Sequence, residues 1–182
     1  MFLGAASTGC SSSTGDQPRS GTARPHSVSA RATETTAPNT ASSVPSSTSL
    51  PRGVERVARD FTTAYAQHDA RHGGDRSYAE AGARAAKFAS GELADVLSQQ
   101  RPSQGKAWAA LRAEQARQKV KVTSAVVPDG APAVSASSAL VRVGYTLTTA
   151  PESGQPRRSS EQLVVRLERT SEGWRVTALP WA

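Results

Sequence analysis

Leu163-Val-Val-Arg-Leu-Glu-Arg-Thr-Ser-Glu-Gly-Trp-Arg-Val176 reads as two extended segments joined by a tight turn. Leu163, Val165 and Leu167 alternate with Val164, Arg166 and Glu168, and Trp174, Val176 and Ala178 alternate with Arg175 and Thr177. Successive side chains of a strand point to opposite faces, so a period of two is the mark of a sheet with one covered face. Ser171-Glu172-Gly173 supplies the turn, because glycine enters left-handed backbone without a steric penalty.

The same period recurs upstream. Val141, Val143, Tyr145 and Leu147 alternate with Arg142, Gly144 and Thr146, and Pro151 to Arg158 reads as a polar loop. Further back, Val120, Val122, Ser124 and Val126 alternate with Lys119, Lys121 and Thr123, ahead of a turn at Pro128-Asp129-Gly130. Before these strands the spacing is helical. Val54, Val57, Ala58, Phe61, Ala64, Tyr65 and His68 predict an amphipathic helix from about Gly53 to Ala70, stopped before His72-Gly73-Gly74. Ser77 followed by Glu80 fits a capping box and opens a second helix with Tyr78, Ala81, Ala85, Phe88 and Ala89 on its inner face. Ser90 caps a short third helix carrying Leu93, Val96 and Leu97. After Pro102 a further helical piece runs from Gln104 to Arg117, with Trp108 and Leu111 facing inward. Helices followed by four antiparallel strands make an α+β domain, its N-terminal helices packed on one face of a curved sheet.

That order, with the final hairpin and its Gly173-Trp-Arg-Val176 ending, resembles the nuclear-transport-factor-two-like (cystatin-like cone) superfamily. The resemblance spans about Gly53 to Ala182 and implies a curved sheet wrapped around a long helix. Within the superfamily the chain looks most like extracytoplasmic domains of actinobacterial cell-envelope proteins: those associated with mammalian-cell-entry lipid transporters, and conjugation proteins related to the type IV secretion assembly factor. The expected role is a non-catalytic interaction or assembly domain; the alternatives are a small-ligand-binding module or enzyme using the pocket between helix and sheet, and an accessory component of conjugative transfer or envelope transport.

The first 52 residues are of another kind. They are mostly Ser, Thr, Ala, Pro and Gly, whereas all three Trp, all three Tyr and two of the three Phe lie beyond them. Such a segment buries too little apolar surface to offset its conformational entropy, so residues 11–52 read as a disordered Ser/Thr/Pro-rich linker and 53–182 as the domain. Ser7-Thr8-Gly9-Cys10, followed by a Ser/Thr/Gly-rich tether, resembles the lipobox of bacterial lipoproteins, in which the cysteine becomes the lipidated first residue. Ser7 stands where that family prefers Leu. The apolar run Phe2 to Ala6 is shorter than the roughly 7–15 residues of a secretory signal, so residues 1–10 read as a truncated or atypical signal. Cys10 is the one cysteine, which excludes an intrachain disulfide. No stretch approaches the roughly 20 apolar residues that span a bilayer. The expected location is therefore extracytoplasmic, on the outer face of the cell membrane, held by lipid on Cys10.

The formal net charge is +7. If the apolar alternation marks the core face, Lys119, Lys121, Arg142, Arg166 and Arg175 all point the other way, and they are read as one basic partner-binding surface. An envelope protein, a second copy of the chain or an anionic surface would suit it. Nucleic acid is disfavoured, because no stacking aromatics interleave these charges. Tyr65, His68, Phe88 and Tyr145 are read as lining a pocket between the first helix and the sheet. Enzymes of the cone fold place an Asp base in that pocket. Here Asp60 and Asp69 fall off the apolar stripe toward solvent, and no carboxylate sits on an inward strand position, so no catalytic residue is assigned. His68 and His72 have helical ligand spacing, but the domain has no third His, and neither a metal site nor a cofactor is assigned. Mass spectrometry of the native N-terminus checks the anchor: Cys10 should be the first residue and carry a diacylglyceryl mass, and an unmodified thiol there refutes it.

Overall fold

The computed structural model describes residues 49–180, so the expected signal, Cys10 and nearly all of the expected linker lie outside the described residues. Four helices come first, α1 (Arg52–Ala66), α2 (Ala79–Ala86), α3 (Glu92–Leu97) and α4 (Gly105–Ala113), with a 3₁₀ turn at Pro102–Gln104 ahead of α4. The strands β1 (Arg117–Val126), β2 (Ser138–Ala150), β3 (Arg157–Thr170) and β4 (Gly173–Ala178) follow and pair antiparallel in chain order. The α+β class with its four-stranded antiparallel sheet is as the alternation predicted.

The core forms where the α1 stripe meets the inner sheet face. Val54, Ala58 and Phe61 from α1 cluster with Val141, Val143, Leu163, Val165, Leu167 and Val176 from the strands, and Ala85 and Leu97 close it from α2 and α3. Leu50, ahead of α1, also packs on this cluster. Gly82 sets the distance between α2 and α3, since a Cβ there would be driven into the Leu97 carbonyl oxygen.

Helix ends depart from the sequence reading wherever a sheet edge claims their backbone. α1 stops at Ala66, not Ala70, and the chain turns into extended conformation. His68 O accepts from Gln118 N at 2.7 Å, and Ala70 N donates to Ala116 O at 2.9 Å, so residues 68–70 lie along the outer edge of β1. Asp75 locks this segment. Its carboxylate accepts from Asp69 N at 2.9 Å and from both Arg84 terminal nitrogens at 2.6 and 3.1 Å, while Arg84 also donates to Gln67 O at 2.6 Å. At the opposite edge α2 ends at Ala86. Phe88 and Ala89, expected on its inner face, instead lie along β4, with Val176 N donating to Phe88 O at 2.9 Å and Ser90 N to Val176 O at 3.0 Å. Neither expected cap forms: Glu80 takes its bond from Arg76 N at 3.0 Å, and Gly91, with φ 62°, stands at the α3 cap.

Three further expectations are corrected. No residue of α4 is buried, and Trp108 and Leu111 are outside the core cluster; a left-handed Gln115, with φ 46°, ends the helix before it reaches Arg117. The loop expected at Pro151 to Arg158 closes earlier, because Arg157 already pairs with Thr149. A bulge between Val122 and Ser124 shifts the phase of β1, so Ala125 packs on the core while Val126 is 42% exposed.

His68 sits at the α1 turn, 2% exposed, its ring 3.9 Å centre to centre from that of Tyr78, and its Nδ1 has no hydrogen-bond partner. Burial lowers its pKa from 6.5 to about 4, against the pull of Asp75 and with a smaller push from Arg84. Between those values the unfolded chain binds a proton that the fold does not, so stability is lost as pH falls through this window, by roughly 3 kcal/mol in all. Urea unfolding at pH 7 and pH 4.5 should show a loss that is much smaller in His68→Phe. Gly82→Ala should cost about 1–3 kcal/mol or more through the Leu97 clash, whereas Gly105→Ala, with open space around it on exposed α4, should be neutral or stabilising in the same assay.

Candidate functional site

Two surfaces carry chemistry, one on each side of the sheet. On the helical side a cleft of about 240 Å³ opens between α1, α2, α3 and the 3₁₀ turn. Tyr65 and Tyr78 line it with Gly82, Leu93, Val96, Leu97, Arg101, Gln104 and Leu179. Of the four residues expected in a pocket, Tyr65 lines this cleft and stacks on Phe61, ring centres 5.8 Å apart. His68 is sealed beside Tyr78. Phe88 packs on the core. Tyr145 stands on the inner sheet face, where burial raises its pKa, with Glu161, Tyr65 and Tyr78 adding to the shift. Burial raises the Tyr78 pKa as well, so both hydroxyls stay protonated at neutral pH. The space therefore lies between helices rather than between α1 and the sheet. Of the lining residues only Tyr65 was expected there from the sequence; Tyr78, Arg101 and Gln104 are its unexpected polar members.

Two observations bear on chemistry at this side. Glu161 pairs with Tyr145 across β2 and β3, so it is a carboxylate on the inner face, where the sequence reading found none. The signal was there: antiparallel partners match in length, so a β2 running to Ala150 requires β3 to begin before Leu163. Glu161 is exposed to solvent. His68 and His72 are not helical neighbours, because α1 has ended; one is buried and the other exposed.

The outer face follows from the strand register. Cross-strand rows run Lys119–Thr148–Arg158, Lys121–Thr146–Ser160, Ser124–Gly144–Gln162 and Val126–Arg142–Val164, then Leu140–Arg166 and Ser138–Glu168–Arg175. The five cations assigned from sequence are all on this face but do not form one field. Lys119 and Lys121 stand at one end, joined by Arg158, which had been read as loop. One strand, β2, lies between Lys119 and Arg158, so two strand spacings set them roughly 10 Å apart. Arg142 and Arg166 lie farther along, and Arg142 has Asp129 at 3.6 Å. Arg175 stands opposite Glu168 in the register and pairs with Glu172 of the turn at 3.2 Å, so acidic neighbours offset its charge. Between the basic ends lies an apolar island of Val126, Val164 and Leu140, with the two arginines set into it. Gly144 allows close approach of β1 here, because a Cβ would stand 2.6 Å from Ser124 Oγ. The island went unseen in the sequence because the bulge alone turns Val126 outward.

No family model matches the chain. No curated protein matches it in sequence. Solved structures do match in fold. The chain is similar to the VirB8 protein of Agrobacterium tumefaciens, with a TM-score of 0.50 at 15% identity over 69% of this chain and 86% of that one. It is also similar to the intermembrane space region of the chloroplast protein ARC6, with a TM-score of 0.40 at 12% identity over 71% and 94%. A candidate aromatic ring hydroxylase from Novosphingobium aromaticivorans gives 0.42 at 12% identity over 74% and 94%. The domain thus shares the fold seen in VirB8: helices on one side, an open antiparallel sheet on the other.

Proposed function

We propose that this chain is an extracytoplasmic assembly protein, held at the outer face of the cell membrane by lipid on Cys10, whose domain binds another envelope protein or a second copy of itself. The supporting observation is the uncovered sheet face. All packed helices lie on the inner side, and the outer side presents the Val126–Val164–Leu140 island threaded by Arg142 and Arg166. An apolar centre carrying arginine and rimmed by polar groups is the composition of a protein contact surface. The rim here is Lys119, Lys121, Thr146 and Arg158 at one end and Glu168 with Arg175 at the other.

The remaining features agree. No helix among the described residues is long and apolar enough to cross a membrane. The VirB8-type fold favours a part in an envelope assembly, in conjugative transfer or in envelope transport.

Photo-crosslinking in the native cell tests the reading. A crosslinking residue at Val126 or Val164 should trap a discrete protein adduct, heterologous or homodimeric, and one at Asp60 on the solvent side of α1 should not. Arg142→Glu with Arg166→Glu should abolish the adduct while leaving the unfolding midpoint within the range of a surface change. Adducts from Asp60 alone, or from neither face, overturn the proposal.

A further inference from the structure

We propose that the cleft between α1, α2, α3 and the 3₁₀ turn is a binding site for a short-chain carboxylic acid, a molecule with an anionic head and an unbranched apolar tail. The lining shows a division of chemistry. Leu93, Val96 and Leu97 from α3 give an apolar wall. Every charged or hydroxyl group at the cleft is a donor: the Arg101 guanidinium and the hydroxyls of Tyr65 and Tyr78, none of which has a side-chain hydrogen-bond partner among the described residues. Gln104 turns its carbonyl oxygen back to Arg101 N, at 3.4 Å, which leaves its amide NH₂ as a donor too. No carboxylate lines the cleft, so Arg101 meets no opposing charge there.

A pocket of donors with an uncompensated cation selects an anion, and a planar guanidinium matches a carboxylate in two-point geometry. Burial holds Tyr78 above the ordinary phenol range, so its hydroxyl keeps its proton and donates rather than repels. Size sets the tail. At about 240 Å³ the cleft is smaller than the roughly 300–1,000 Å³ typical of drug-sized ligands. A chain of a few carbons fills it, and a long acyl chain does not. The site lies on the opposite side of the sheet from the proposed contact face and is independent of it.

Titration calorimetry on the full chain with butanoate, hexanoate, octanoate and octanol tests the assignment. Affinity should rise about fourfold for each methylene that enters the cleft, then level off. Octanoate should bind at least tenfold more tightly than octanol. Arg101→Gln, an exposed change that leaves the fold alone, should bring octanoate down to the octanol value. Leu93→Trp should fill the cleft and remove binding of both. The proposal is overturned if none of the three carboxylates gives saturable binding at millimolar concentration, or if the affinity of the one that binds most tightly is unchanged in Arg101→Gln.

Discussion

Everything in this domain depends on one contact, the apolar stripe of α1 laid across the inner face of the sheet. Val54, Ala58 and Phe61 are fully buried against strand residues that are themselves fully buried, among them Val141, Val143, Val165, Leu167 and Val176. Burying such side chains yields roughly 1.5–3 kcal/mol each, the largest favourable contribution available to a domain of this size. Because α1, the longest helix among the described residues, covers one face, the two faces of the sheet are chemically unequal from the outset. One becomes core and the other remains surface.

A sheet closed on one face still has two edges with unpaired backbone groups, which invite pairing with other chains. This fold covers part of each with its own connections. Residues 68–70 run along the start of β1, and 88–90 along β4. That requirement decides where the helices end. α1 gives up its last expected turn to free the backbone of His68 and Ala70, and Asp75 with Arg84 then holds the turn in place. The same turn seals His68 behind Tyr78 and brings Tyr78 alongside Tyr65, so edge protection and the cleft are consequences of one rearrangement.

Much of this was legible in the residues. The strands of the hairpin, Leu163 to Thr170 and Gly173 to Ala178, follow from alternation alone, and so do the α1 stripe and the outward direction of all five assigned cations. What escaped was the grouping of those cations. Lys119 and Arg158 share a row only because β2 runs between them in a particular register, and register alone places Glu168 opposite Arg175. Trp108 and Leu111 carried an inward-looking spacing with no surface to pack on, since α4 lies outside the core.

The sequence by itself determined the kinds of element, their order and which face of each is apolar, because those are set by local periodicity and side-chain chemistry. Only the tertiary structure decided where helices yield to sheet edges, where the bulge turns Val126 outward, and that the usable space lies between helices around Tyr78 and Arg101. Each of these depends on hydrogen bonds or close approach between residues far apart in the chain. A backbone group of His68 carries no sign in the sequence that its partner will be Gln118.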